Sequence, residues 1–305
     1  MDPSPWRTFD RRAWSALRAD TPMTLDRADV EELRGLNIPL DLSEIEAVYL
    51  PLTRLLNLWA RGLGHMHQTT SRFLGEDGPR LPFVIGLAGS VAVGKSTFAR
   101  VLCTLLARWQ DHRRVALVTT DGFLWPNAEL QRRGLMERKG FPESYDRTAL
   151  LAFVSDLKSG RSSVEHPVYS HHLYDVVQDQ VEVIERSDIV IVEGLNVLQS
   201  GTGTAFVSDF FDFSIYLDAE LADLRRWYIE RFRKLRDTTF RDTDNYFHRY
   251  SAMSDEEIDT HALSIWTRIN ERNLIENIAP TRERATLILK KGSDHRVREV
   301  RLRRS

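Results

Sequence analysis

The sequence predicts an α/β protein: a doubly wound, mostly parallel sheet flanked by helices, with an N-terminal helical extension. Three observations carry that expectation. Residues 83–88, 115–120, 189–192 and 213–217 are short, nearly unbroken apolar runs, as strands buried on both faces require. Between them, apolar residues recur at three- and four-residue steps, the period of helices that cover a sheet. The first run ends in Gly89-Ser90-Val91-Ala92-Val93-Gly94-Lys95-Ser96, which fits G-x-x-x-x-G-K-[ST] without a gap.

In chain order, residues 1–80 read as the helical extension and 81–305 as the core, together one structural unit. Ser43 with Glu46 fits a capping box, and Val48, Leu52, Leu55, Leu56 and Trp59 continue as a helical apolar stripe. Pro51 is expected to kink or divide that helix, and Gly62 or Gly64 to end it. Trp6, Phe9 and Trp14 are expected to pack on the core, since the extension is too small and irregular to stand alone. His65 and His67 lie two apart and so do not share a helix face, which reads against a metal pair. Residues 75–79 form a loop into the first core strand.

Behind the glycine-rich loop, Phe98, Val101, Leu102, Leu105, Leu106 and Trp109 mark a helix, and Ala149, Leu150, Phe153, Val154 and Leu157 mark another. Residues 221–278 read as largely helical. Residues 286–289 and 297–302, joined through Gly292-Ser293-Asp294, read as a closing hairpin. Its arginines (Arg296, Arg298, Arg301, Arg303, Arg304) alternate with apolar residues, as on a solvated strand face.

Composition narrows the function classes. With 42 basic against 44 acidic residues there is no overall field to attract nucleic acid. Cys103 is the only cysteine, so neither an intrachain disulfide nor a cysteine-based metal site can form. The N-terminus lacks a signal peptide's basic start and apolar core, and no apolar run approaches the ~20 residues of a membrane span. The expectation is a cytoplasmic protein with no membrane or nucleic-acid partner.

The loop between strand and helix carries the chemistry. Its glycines permit backbone geometry that turns successive N–H groups inward on phosphate oxygens, and the helix N-terminus adds partial positive charge there. Lys95 can reach the β- and γ-phosphates, and the Ser96 hydroxyl is a natural Mg²⁺ ligand. Gly89, Ser90, Val91, Ala92, Val93, Gly94, Lys95 and Ser96, with Thr97 following directly, therefore form the expected nucleoside triphosphate site. In such sheets ligands bind beyond the C-terminal strand ends, where Asp121 and Glu193 also fall. Asp121 suits a base that accepts a hydroxyl proton, with Gly122 leaving room for a substrate to approach. Glu193 suits a magnesium-holding acid and is the rival for the base. No N-K-x-D segment of the guanine-reading kind is present, which argues against a GTPase.

Longer segments carry a resemblance. The loop with Thr97, then Thr119-Thr120-Asp121-Gly122-Phe123, Lys139-Gly140-Phe141-Pro142-Glu143-Ser144-Tyr145-Asp146, Pro167-Val168-Tyr169-Ser170-His171, Glu193-Gly194-Leu195-Asn196-Val197-Leu198-Gln199 and Pro280-Thr281-Arg282-Glu283-Arg284-Ala285 resemble, in order and across the chain, the bacterial type I pantothenate kinases. That resemblance implies a P-loop kinase domain that phosphorylates the 4′-hydroxyl of pantothenate with MgATP at the opening of coenzyme A synthesis. It implies Asp121 as base, with Lys95 and Arg231 on the transferring phosphoryl group. It further implies Tyr169, His171, Tyr174, Tyr228 and Asn270 around pantothenate, and Arg100, Lys95 and His171 where coenzyme A competes with ATP. A homodimer is implied on the same ground. By themselves, the tyrosines would read as core aromatics, His171 beside His172 as a surface pair, Asn270 as a helix-surface amide and Arg231 as a solvated ion-pairing residue. The segment 200–205 looks shorter than in some members, and Trp125 and Leu235 are departures, Leu235 bearing on the pantetheine-like end of ligands. The competing readings are a uridine or ribulose 5-phosphate kinase, and a non-catalytic nucleotide-sensing regulator.

Overall fold

The computed structural model describes residues 4–36, 38–76, 80–109, 114–200 and 205–304. Its described strands are β1 (Trp6–Asp10), β2 (Phe83–Gly89), β3 (Val115–Thr119), β4 (Ser163–Ser170), β5 (Asp175–Glu185), β6 (Ile189–Glu193), β7 (Phe213–Asp218), β8 (Leu287–Lys291) and β9 (Val297–Arg303). Seven of them form one sheet in the order β1-β9-β8-β7-β2-β6-β3. β8, β7, β2, β6 and β3 run parallel, and β9 and β1 close one edge antiparallel. Every residue of β2 and β6 is buried, as their unbroken apolar runs require of central strands covered on both faces. The parallel order brings the C-terminal ends of β2, β3 and β6 to one edge, with the phosphate loop, Asp121 and Glu193.

The extension departs from its all-helical reading, because it opens with β1, paired in register from Trp6–Arg303 to Asp10–Glu299. Trp6 is buried against the Arg301 and Arg303 guanidinium groups, at 4.7 and 4.6 Å from its ring. Trp14 is buried with it in the core shared with the sheet, and Phe9 packs against that core. The helix cap is also corrected: Asp41, not Ser43, accepts the Glu44 N–H at 2.8 Å and the Ser43 hydroxyl at 2.7 Å. A widened π-helical turn, Ile45–Tyr49, then leads into the helix Leu50–Leu74, with Pro51 in its first turn. Tyr49 and Leu50 before it are both right-handed helical, so the helical backbone runs on through the proline and the widened turn ahead of it marks where the stretch divides. Gly62 and Gly64 do not end this helix. Both lie inside it with open space beside them, and the stop is Gly75, left-handed at φ +69°. Residues 77–79 of the expected linker, and 201–204 of the segment after Gln199, lie outside the described residues.

A separate antiparallel pair, β4–β5, was not expected from the sequence. Its register shifts between Pro167 and Tyr169, where proline cannot donate to the ladder. Behind it, the helices Leu221–Asp237 and Asp255–Ile265 enclose a small core of Phe232, Phe240, Ile258 and Ala262, with Leu235 packed against it.

Candidate functional site

The phosphate loop is held open by dihedrals that its sequence selects. Gly89 adopts φ +149°, Ala92 φ +66° and Gly94 φ +94°. A Cβ on Gly89 would meet the Leu217 carbonyl oxygen at 2.7 Å, so that glycine also permits close strand packing. Lys95 opens the helix Lys95–Ala107 and folds back to donate to the Ser90 carbonyl at 2.9 Å. A second lysine, not foreseen, braces the loop: buried Lys291 of β8 donates to the Val93 carbonyl at 2.9 Å. Burial brings Lys291 down to about 8, with the charge of Glu44 opposing. Glu44 is itself buried and accepts the Val297 N–H at 3.0 Å.

The carboxylates meet the loop from two neighbouring strand ends. Glu193 ends β6 and accepts the Ser96 hydroxyl at 2.9 Å. Burial raises its pKa; Lys95 and the hydrogen bonds from Ser96 and Thr119 lower it, and Asp121 raises it further. Asp121 lies in the 3₁₀ turn Thr120–Phe123 that follows β3, with the Tyr145 hydroxyl 3.5 Å from its Oδ1. Gly122 has a different purpose from the one expected. A Cβ there would meet the Pro167 carbonyl oxygen at 2.2 Å, so the space is filled by β4 rather than kept for a substrate. Lys95 is lowered by burial, against the charges of Glu193 and Asp121 and with that of Arg231. Arg231, on the helix Leu221–Asp237, keeps an exposed edge; crowding lowers its pKa against Tyr228, Glu193 and Asp121. Lys95, Asp121, Glu193 and Arg231 thus share one electrostatic mouth, although they are far apart in sequence.

Beside the mouth is a pocket of rings and amides. Tyr169 comes from β4, and His171 and Tyr174 from the β4–β5 turn, with Tyr174 left-handed at φ +54°. The His171 and Tyr169 rings lie edge to face at 5.2 Å, and Tyr174 packs on Phe247 at 4.8 Å. Burial lowers His171, with Asp121 opposing and Arg231 and Lys139 reinforcing. The Tyr228 phenol, hydrogen-bonded to Asn270, is pushed up to about 12 by burial. Asn270 closes a π-helical turn, Trp266–Asn270, an irregularity that turns its amide toward Tyr228. The five residues expected around the acceptor are therefore linked in one cluster, ring to ring from His171 through Tyr169 to Tyr174, by charge from Tyr174 to Tyr228, and by hydrogen bond from Tyr228 to Asn270. Lys139 joins them unforeseen. Its ammonium stands 3.9 Å over the Tyr174 ring and donates to Asn127 Oδ1 at 2.7 Å and the Tyr174 carbonyl at 2.5 Å. Burial lowers it to about 8, with Asp175 and Asp121 opposing. The hint was Gly140 beside it, left-handed at φ +94° and fixed by the Asn196 and Asn273 amides, both 2.8 Å from its carbonyl. Arg100 is exposed on the helix Lys95–Ala107, with its guanidinium on the Leu33 carbonyl at 3.3 Å, toward the extension.

In chemical terms, the mouth offers backbone and ammonium donors for phosphates, two carboxylates and a polar aromatic pocket. The Ser96 and Glu193 oxygens are the hard donors that Mg²⁺ takes.

Comparison with known proteins bears on the family and the fold. The pattern of the phosphoribulokinase / uridine kinase family matches residues 84–256. A protein named pantothenate kinase from Rhodopseudomonas palustris is 57% identical over 307 aligned residues, covering 99% of this chain and 96% of the relative. One of the same name from Nocardioides sp. is 56% identical over 308, covering 99% and 94%. Among solved structures, a putative fructose transport system kinase from Silicibacter sp. aligns with TM-score 0.53 at 22% identity, over 69% of this chain and 88% of that one. D-glycerate 3-kinase from Cryptococcus neoformans aligns with TM-score 0.53 at 13% identity, over 81% and 97%. At such identities the solved structures establish a shared fold alone.

Proposed function

The chain belongs to the phosphoribulokinase / uridine kinase family and, within it, to the pantothenate kinases, and on that premise we propose which of its groups transfer the ATP γ-phosphoryl group to pantothenate. The reaction opens coenzyme A synthesis, and its product is 4′-phosphopantothenate.

ATP places its β- and γ-phosphates in the loop of residues 89–97, and Lys95 leaves the Ser90 carbonyl to meet them. Ser96 and Glu193 would hold Mg²⁺, directly or through water, and the ion would supply charge to neutralise the phosphates. Asp121 orients the pantothenate hydroxyl and accepts its proton. Lys95 and Arg231 spread the charge on the transferring group. Tyr169, His171, Tyr174, Tyr228 and Asn270 satisfy the carboxylate, amide and hydroxyls of pantothenate. The observation that carries this reading is the convergence of Asp121, Lys95 and Glu193 at one mouth, beside the ring-and-amide pocket.

A phosphate-bearing acceptor would call for a cation among these residues, and Lys139 supplies one. The near full-length identity to pantothenate kinases decides for pantothenate. Coenzyme A competes with ATP through Lys95, Arg100 and His171, and the enzyme is a cytoplasmic homodimer. Among the described residues no helix is long and apolar enough to cross a membrane.

The test is ADP release with MgATP and pantothenate, uridine or ribulose 5-phosphate, each with and without coenzyme A. Turnover with pantothenate alone, suppressed by coenzyme A and restored by more ATP, is the expected result. Tight ATP binding without turnover on any acceptor would leave the nucleotide-sensing regulator instead.

A further inference from the structure

We propose that Tyr145 is a positioning residue for the phosphoryl-transfer base: its buried hydroxyl donates to Asp121 Oδ1, which leaves Oδ2 to meet the acceptor hydroxyl. The inference rests on the reading of Asp121 as base.

The tyrosine is strapped to the turn it serves. The Trp125 N–H donates to the Ser144 carbonyl at 2.8 Å, the Asp146 N–H donates to the Phe123 carbonyl at 2.8 Å, and Leu124 bridges Tyr145 itself. Residues 144–146 are thereby bonded, antiparallel, to residues 123–125, which begin two residues after Asp121. The Tyr145 ring is 5% exposed, so the hydroxyl has little freedom to wander. At 3.5 Å the contact is long, as catalytic hydrogen bonds often are before substrate closes the site.

The phenol's protonation state gives the bond one direction. Burial raises Tyr145 well above its ordinary value, and the charges of Asp121, Glu193 and Tyr169 raise it further. The hydroxyl is therefore a donor throughout the working range and cannot itself take the substrate's proton. A hydrogen bond from a neutral phenol to one carboxylate oxygen is directional, so Tyr145 holds the Asp121 carboxylate in one orientation. In the transfer, the acceptor O–H bond breaks and its proton goes to Asp121 Oδ2. The acceptor oxygen bonds to the γ-phosphorus as the bond to the β,γ-bridging oxygen breaks, and ADP leaves with that electron pair. Tyr145 is unchanged at the end.

Tyr145→Phe keeps the ring and removes the donor. The expected result is a kcat about tenfold lower, with KM for ATP and for pantothenate each within about twofold. An unchanged kcat, or a kcat loss matched by a rise in either KM, overturns the proposal. A fluorotyrosine at 145, which keeps the donor in nearly the same shape, is expected to hold kcat within about twofold of wild type and keeps the test open if the phenylalanine variant folds poorly; a tenfold loss there also overturns it. In an Asp121→Asn background, Tyr145→Phe is expected to cost nothing more; a further tenfold loss there means the hydroxyl acts elsewhere and overturns it. Asp121→Asn with normal turnover brings down the base assignment and this proposal with it. An inactive Asp121→Asn beside a silent Tyr145→Phe overturns only the proposal.

Discussion

At Lys139 an ammonium group is held largely out of water, and the consequence is a pH dependence. Its value of about 8 means that the pocket carries a cation below that pH and a neutral amine above it. Pantothenate stays an anion throughout, so KM for pantothenate is expected to rise as pH passes upward through about 8. In Lys139→Met, KM is expected to be higher at pH 7 and flat across the same range. Initial rates from pH 6.5 to 9.5 decide the matter, and a variant that keeps the wild-type curve would discard it. Asp121 has the sharper prediction. Asp121→Ala is expected to lower kcat by roughly 10²–10⁴ while ATP affinity, measured by titration, stays near wild type. Normal turnover in that variant would promote Glu193 to the base.

The element that couples these residues to the scaffold is β8, through Lys291. This lysine is buried and lowered to about 8, so over pH 8–10.5 the unfolded chain binds a proton that the folded chain does not. Stability contributed by this group therefore rises with pH across that window, and below pH 8 protonation burdens the fold in full. Lys291→Met is expected to flatten the rise, measured as wild type minus variant in urea unfolding at several pH values. An unchanged slope would mean that the ammonium is solvated. The strand–loop–helix unit around Gly89 to Ser96 was legible in the sequence because its dihedrals demand glycine and its flanks demand apolar runs. The hairpin β4–β5 was not, because β5 is exposed over most of its length, Val181 and Val183 included, so its apolar residues mark no continuous buried face. Gly62 and Gly64 misled for the opposite reason: solvent on both sides lets a long helix carry them at about 1 kcal/mol each. Lys139 and Lys291 were invisible as site groups, since a lone lysine reads as surface until tertiary packing buries it.

On the scale of the whole molecule, the first strand and the last two bind the extension to the sheet that presents the site. β1 lies against β9, β9 against β8, and β8 holds the phosphate loop through Lys291. Glu44 reaches into the same seam, accepting the Val297 N–H at 3.0 Å and pairing with Arg11 just beyond β1. An extension so attached is expected to unfold with the core rather than before it. Trp6 tests this, because it anchors β1 yet lies at the sheet edge, away from the mouth. Trp6→Ala removes a buried indole and is expected to lower the unfolding free energy by about 3–5 kcal/mol, with kcat per folded molecule kept. Tryptophan fluorescence and ATP binding should then report one coincident urea transition in both proteins, shifted to lower urea in the variant. Early loss of the fluorescence signal with ATP binding intact would mean that the extension is a separable layer, and that the brace through Lys291 stands without it.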